Sequence, residues 1–218
     1  MRCSSSFENE ARKRGYRAVA GVDEAGRGAL FGSVVAAAVI LDPERPVRGL
    51  NDSKQLSPEE REGLAVAIKE RSLAWSTGAS DAAEIDRVNI YQASRLAMRR
   101  AVESLAVKPD YLLVDAMRID LDLPQESLIK GDARSRAIAA ASIIAKVHRD
   151  ECMRQWDAVY PRYGLSRHKG YGAPEHLRAL ESHGPTPLHR FSYAPVSRLV
   201  PASIQQQSLQ FEEAGATA

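Results

Sequence analysis

Eight consecutive apolar residues, Val34-Val35-Ala36-Ala37-Ala38-Val39-Ile40-Leu41, constrain this chain more than any other feature. Asp42-Pro43 stops the run. It is far short of the ~20 residues that span a bilayer. Rich in Val, Ile and Ala, with no polar position on either alternation, it reads as a strand buried on both faces. A strand of that kind belongs to a layered architecture. At 218 residues the chain has the length of one domain. A chain of that length buries roughly 70% of its unfolded surface without disulfide staples.

The other elements fall around that strand. Val19-Ala20-Gly21-Val22 is a short apolar strand ending at Asp23-Glu24, and Tyr111-Leu112-Leu113-Val114 is a central strand that delivers Asp115. Leu73 to Ala79 alternates weakly and reads as a further strand. Ser57-Pro58-Glu59-Glu60 starts a helix to about Arg71: Ser57 caps, Pro58 suits the first helical position, and Glu60 completes a capping box. Ile90, Ala93, Ala97, Ala101 and Leu105 share one face of a helix over 89–105. A long helix spans Ala133 to about Tyr160, and a shorter one Pro174 to Ser182. Beyond Pro201 the chain is polar and Gln-rich, which predicts a disordered tail. Strands first, then strands alternating with helices, indicate an α/β or α+β fold with a mixed sheet, antiparallel among the first three strands.

Lys plus Arg number 30 against 28 Asp plus Glu, a net charge of +2 that excludes a bulk polycation and leaves room for a local basic groove. Two cysteines, Cys3 and Cys152, exclude a disulfide scaffold and a Cys-rich zinc site. The five histidines show no zinc spacing, and His168 and His189 read as structural or phosphate-proximal. The N-terminus lacks the apolar core of a signal peptide, so the expectation is a soluble, cytoplasmic protein.

Asp23, Glu24, Asp115 and Asp132 each follow an apolar strand or precede a helix, the places where α/β sheets build sites. Each close pair of such charges costs on the order of 4 kcal/mol at an effective dielectric near 20. Hard cations would relieve that cost, and oxygen-only ligands favour Mg²⁺ or Mn²⁺ over Zn²⁺. The plain alternatives are turn formers and, for Asp132, a helix N-cap. Successive strand residues point to opposite faces, so Asp23 and Glu24 reach one site only if the chain leaves regular strand geometry there. Gly26-Arg27-Gly28 follows, but a β-type run rather than a helix comes next, which rejects a dinucleotide-binding loop. The remaining reading is a backbone exposed to a ligand.

Taken together, Gly21-Val22-Asp23-Glu24-Ala25-Gly26-Arg27-Gly28, Asn51-Asp52-Ser53-Lys54-Gln55-Leu56-Ser57, Leu113-Val114-Asp115, Lys130-Gly131-Asp132 with the helix through Lys146, Arg149 and Asp150, His168-Lys169-Gly170-Tyr171-Gly172 and Pro187-Leu188-His189-Arg190 resemble the motifs of bacterial ribonuclease HII, in order, over residues 16–198. Phe31-Gly32-Ser33 and Ala116 depart from the family pattern without removing a carboxylate. The resemblance implies a ribonuclease H-like mixed five-stranded sheet flanked by helices, with a small C-terminal helical segment. It implies a lead-in over 1–15, a catalytic core over 16–160, a substrate-contacting segment over 161–200 and a tail over 201–218. It also implies an endonuclease that cleaves the RNA strand of RNA–DNA hybrids and nicks 5′ of ribonucleotides embedded in duplex DNA, leaving 3′-hydroxyl and 5′-phosphate ends. Asp23, Glu24, Asp115 and Asp132 would hold two Mn²⁺ or Mg²⁺ ions. Gly26, Arg27 and Gly28 would present main-chain groups to the 2′-hydroxyl, and Tyr171 would pack on the neighbouring sugar. Lys54, Ser142, Lys146, Arg167 and Lys169 are candidate phosphate contacts, each with a solvated charge or helix hydroxyl as the bland reading. A monomer acting on nucleic acid, with no membrane and no deducible protein partner, is expected. The competing readings are a resolvase-like nuclease of the same fold and a non-catalytic hybrid-binding protein.

Overall fold

The computed structural model describes residues 3–199. Five strands form one sheet in the order β3-β2-β1-β4-β5. They are β1 (Val19–Ala25), β2 (Val34–Leu41), β3 (Ser72–Ser80), β4 (Tyr111–Asp115) and β5 (Gln125–Leu128). β1 pairs antiparallel with β2, and β2 with β3, while β4 runs parallel to β1 and β5 parallel to β4. The mixed sheet and the antiparallel first three strands are as the sequence implies. β5 carries only one fully buried residue, Leu128, so its sequence holds no apolar signal; it exists because β4 offers it a ladder.

Helices α1 (Ser6–Lys13), α2 (Pro58–Arg71), α3 (Ala82–Glu103), α4 (Arg136–Val159), α5 (Leu165–His168), α6 (Pro174–His183) and α7 (Ala194–Ser197) surround it. β2 is buried from Val34 to Ile40, and alternation splits it between two cores. Val34, Ala36, Ala38 and Ile40 pack with Ala93, Ala97 and Ala101 of α3; Ala37 and Val39 pack with Ile68 of α2 and Ala140, Ile143 and Ile144 of α4. α4 lies close on β1 because position 21 has no side chain: a Cβ there would sit 2.0 Å from the Ala137 carbonyl carbon.

Several boundaries differ from expectation. The helix read over 89–105 begins at Ala82, capped by an Asp81–Glu84 box, and breaks at Asn89 (φ 68°), whose side chain recaps it by accepting from Tyr91 and Gln92 N–H. The long helix begins at Arg136 rather than 133, after a 3-10 turn over Gly131–Ala133. The lead-in is itself structured. α1 places Glu8, 2% exposed, at the start of α4, where its Oε1 accepts from Ala137 N–H and Ser135 Oγ, both at 2.7 Å. The expected tail, with Gln205 to Phe211, lies outside the described residues. Among the described residues no helix is long and apolar enough to cross a membrane.

Candidate active site

Strand pairing delivers two acids to one place. Val22 of β1 lies opposite Val114 of β4, so the next residues, Asp23 and Asp115, emerge side by side at the C-terminal ends of parallel strands. Val22 and Val114 belong to the α3-side core, which puts both acids on the α4 side. Asp132 arrives from the 3-10 turn, and the preceding Gly131 N–H donates to Asp115 Oδ1 at 2.6 Å. Asp132 does not cap α4. Ser135 does, accepting from Ile138 N–H, while Asp132 Oδ1 accepts from Ala133 N–H at 2.9 Å.

Glu24 comes from the other face. The chain was expected to leave strand geometry at Asp23-Glu24, but pairing with β2 continues through Glu24–Ala36 and Ala25–Val35. The turn starts later, at Gly26 (φ 94°). One residue from the strand end, the longer Glu side chain reaches around the sheet edge. It lines the same cleft as the three aspartates, a space of about 410 Å³ that Gly26, Arg27, Gly28, Lys54, Ser142, Lys146 and Tyr171 also line. Lys169 lies outside it, in an adjoining pocket with Arg61, Arg154 and Arg167; Lys146 lines both.

The cleft concentrates negative charge. Burial pushes the Asp23 carboxyl well above the ordinary carboxylate range, and Glu24 and Asp115 add to it. Burial likewise raises Glu24 and Asp115, against the pull of Arg27 on the first and of Gly131 N–H on the second. Glu24 Oε2 is buried without a hydrogen-bond partner among the described residues. Two cations lean in: Arg27 Nη1 at 3.4 Å from Glu24 Oε1, and Lys54 Nζ at 3.7 Å from Asp132 Oδ2. Partial burial works against the Lys54 ammonium, but Asp132, Asp52, Asp23 and Asp115 outweigh it and hold its pKa above the usual lysine value. Among the described residues no three His, Cys, Asp or Glu side chains form a ready-made ion cage. The chemistry of the donors still fits hard divalent cations: all oxygen, crowded, partly desolvated, with one orphaned carboxylate oxygen.

Two buried arginines, Arg149 and Arg190, tie the backbone of the glycine turn to that of the segment around Tyr171. Arg149, 1% exposed, donates to the carbonyls of Lys169 (2.9 Å), Phe31 (3.2 Å) and Ser33 (3.3 Å). Its guanidinium lies 5.3 Å from the Tyr171 ring centroid. A Cβ at Gly26 would meet its Nε at 2.0 Å, so the turn needs glycine for space as well as for its positive φ. Arg190, fully buried, donates to Gly32 O at 3.0 Å and Arg27 O at 2.7 Å. The signal for Arg149 was its place on the buried face of α4, four residues from Ala145 and four from Met153. His189 is also fully buried, which excludes the phosphate-proximal reading for it and leaves the structural one.

Residues 20–196 match the family model described as Ribonuclease HII. The chain is 62% identical to a ribonuclease HII of Solibacter usitatus, covering 99% of this chain and 96% of that one. It is 54% identical to the ribonuclease HII of Enterococcus faecalis, over 90% of this chain and 77% of the relative. The ribonuclease H2 of Pyrococcus horikoshii superposes with a TM-score of 0.72 at 26% identity, over 84% of this chain and 97% of that structure. The expected ribonuclease H-like fold is therefore present, and the chain belongs to the ribonuclease HII family, endonucleases that cleave the RNA strand of RNA–DNA hybrids.

Proposed function

We propose that Asp23, Glu24, Asp115 and Asp132 hold two divalent cations, Mg²⁺ or Mn²⁺, and that this site cuts 5′ of ribonucleotides in hybrids and embedded in duplex DNA, leaving 3′-hydroxyl and 5′-phosphate ends. The observation that carries the reading is the convergence of all four acids on one cleft, with Glu24 Oε2 buried and unpartnered. Bound there, the ions would supply the charge that activates water and stabilises the leaving oxygen. The chain's own groups bind and orient. Lys54, Lys146 and Ser142 face the same cleft and suit the phosphates on either side of the cut; Lys169 and Arg167 extend that basic lining into the adjoining pocket. The Gly26-Arg27-Gly28 turn and Tyr171 read the ribose, because the 2′-hydroxyl is what separates RNA from DNA at one position. The Arg27 carbonyl accepts from Arg190 and from the Tyr193 hydroxyl, so it falls to other main-chain groups of the turn to contact the ribose 2′-hydroxyl.

The same reading makes 1–15 a lead-in, 16–160 the catalytic core and 161–200 a substrate-contacting segment. It takes the protein to act as a cytoplasmic monomer, since one chain supplies the whole cleft. Incubation with Mn²⁺ and a duplex carrying one ribonucleotide, beside an all-DNA control, tests the assignment. Cutting of the first alone is expected. Cutting of both would instead favour a resolvase-like nuclease, and cutting of neither a binding protein.

A further inference from the structure

Three of the five histidines lie together beneath Tyr171, away from the carboxylates. His176 and His189 are fully buried. His168 stacks on His176 with ring centroids 4.5 Å apart and planes 15° off parallel.

The hydrogen bonds among them have a forced direction. His176 Nδ1 lies 2.9 Å from the Tyr171 carbonyl. A carbonyl only accepts, so Nδ1 carries the proton and Nε2 is an acceptor. At His189, Thr186 N–H donates to Nδ1 at 2.9 Å, which leaves the proton on Nε2. The 3.1 Å contact between the two Nε2 atoms is thus a donor meeting an acceptor. His168 is fixed in the same way: Nε2–H donates to the Tyr163 carbonyl at 2.7 Å, and Nδ1 accepts from Gly170 N–H at 3.2 Å. Every ring nitrogen of the three is matched. A chain therefore runs Thr186 N–H to His189 to His176 to the Tyr171 carbonyl, while the Tyr171 N–H donates to the His168 carbonyl at 3.0 Å. Burial holds His176 at about 4 and His189 at about 3, which keeps both rings neutral around pH 7. A filler of the same volume would pack without such direction. Tyr171 is 38% exposed and its ring has Arg149 on one face and Gly28 beside it, so its place depends on how firmly its backbone is held.

We propose that His176 and His189 are positioning residues that fix Tyr171 against Gly28 through this directed chain and thereby set the discrimination of single embedded ribonucleotides. The proposal rests on the reading of Tyr171 given above.

Long-range ¹H–¹⁵N spectra of the unaltered chain with ¹⁵N-labelled histidine test the direction of the chain. The expected pattern is Nδ1–H for His176 and Nε2–H for His168 and His189; an Nε2–H tautomer at His176 overturns the proposal. The second measurement is the ratio of cleavage rates on a one-ribonucleotide duplex and on a uniform RNA–DNA hybrid. Tyr171→Ala should lower that ratio by about tenfold or more, since misplacing a contact by about 1 Å costs up to about a hundredfold. His176→Gln, whose amide takes the place of Nε2 and leaves no donor at the Nδ1 position, should lower it by about tenfold; His176→Asn, whose amide takes the place of Nδ1, should recover most of the loss. If Tyr171→Ala lowers the ratio and His176→Gln does not, or lowers both rates equally, the positioning role is wrong and the reading of Tyr171 stands. An unchanged ratio in Tyr171→Ala sinks both. Should the His176 variants not fold, His189→Asn replaces them. Its amide keeps an acceptor for Thr186 N–H and loses the Nε2–H that donates to His176, and it should lower the ratio by about twofold to threefold, no change counting against the proposal.

Discussion

Asp23 is 5% exposed, and burial with two neighbouring acids raises its carboxyl far above the usual range. A side chain so placed is held by the fold in spite of its charge. Asp23→Asn keeps the shape and removes the charge. Cleavage of a hybrid should fall by at least about a hundredfold, on the scale of losing a principal electrostatic contact, while hybrid affinity stays within about threefold. Single-turnover rates beside filter-binding titrations check it; a near-normal rate would exclude Asp23 as an ion ligand. The acids were visible in the sequence because each ends an apolar run or precedes a helix. The buried face of α4 marks Arg149, but the carbonyls it holds and the ring that His176 meets lie 13 to 118 residues away, and no local pattern records those partners.

At the scale of elements, the site depends on how close α4 lies to β1. Gly21→Ala would drive a methyl into the Ala137 backbone at 2.0 Å, with no flexible side chain to move aside. Such overpacking should cost about 3 kcal/mol or more, read from urea unfolding, and weaken cleavage by shifting the turn that carries Asp132. α1 secures the same end of α4. Glu8→Ala should leave Ala137 N–H buried and unpaired and lower stability by about 1–3 kcal/mol, a melting shift readable by calorimetry. Unchanged stability would mean that the N-terminal helix is a passive cover. α2 was readable to the residue, since Ser57, Pro58 and Glu60 form a complete local start signal. The first part of α3 was missed although Asp81 and Glu84 make the same kind of box, because the break at Asn89 interrupts the apolar spacing. β5 has no such signal at all.

For the whole molecule, pH and salt separate two kinds of charge. His176 and His189, at about 4 and about 3, lie below the ~6.5 of an unfolded histidine. Between those values the unfolded chain binds more protons, so stability rises with pH there: it is full above about 6.5 and is lost as pH falls toward 4. Each histidine contributes a slope of up to about 1.4 kcal/mol per pH unit. Urea unfolding from pH 7.5 to 5 should show that slope, and His176→Asn should reduce it by about one proton; a parallel slope in the variant would contradict the assignment. The proposed role of the basic residues is in binding instead. If Lys169 and Arg167 carry the strand beyond the cleft, Lys169→Ala should weaken hybrid binding and lower the log–log salt slope by about 1. An unaltered slope would return Lys169 to a plain surface charge.

Periodicity and near-neighbour chemistry along the chain are enough for the two-faced central strand, the antiparallel start of the sheet, the helix starts with complete capping signals and the candidacy of the four acids. The fold alone settles that Glu24 lines the cleft from the opposite face of an unbroken strand, that Ser135 rather than Asp132 caps α4, and that buried arginines and interlocked histidines bond to the backbone of Arg27, Lys169 and Tyr171. Those outcomes depend on which distant carbonyls and rings the fold brings within hydrogen-bond range, and a spacing rule along the chain cannot express that.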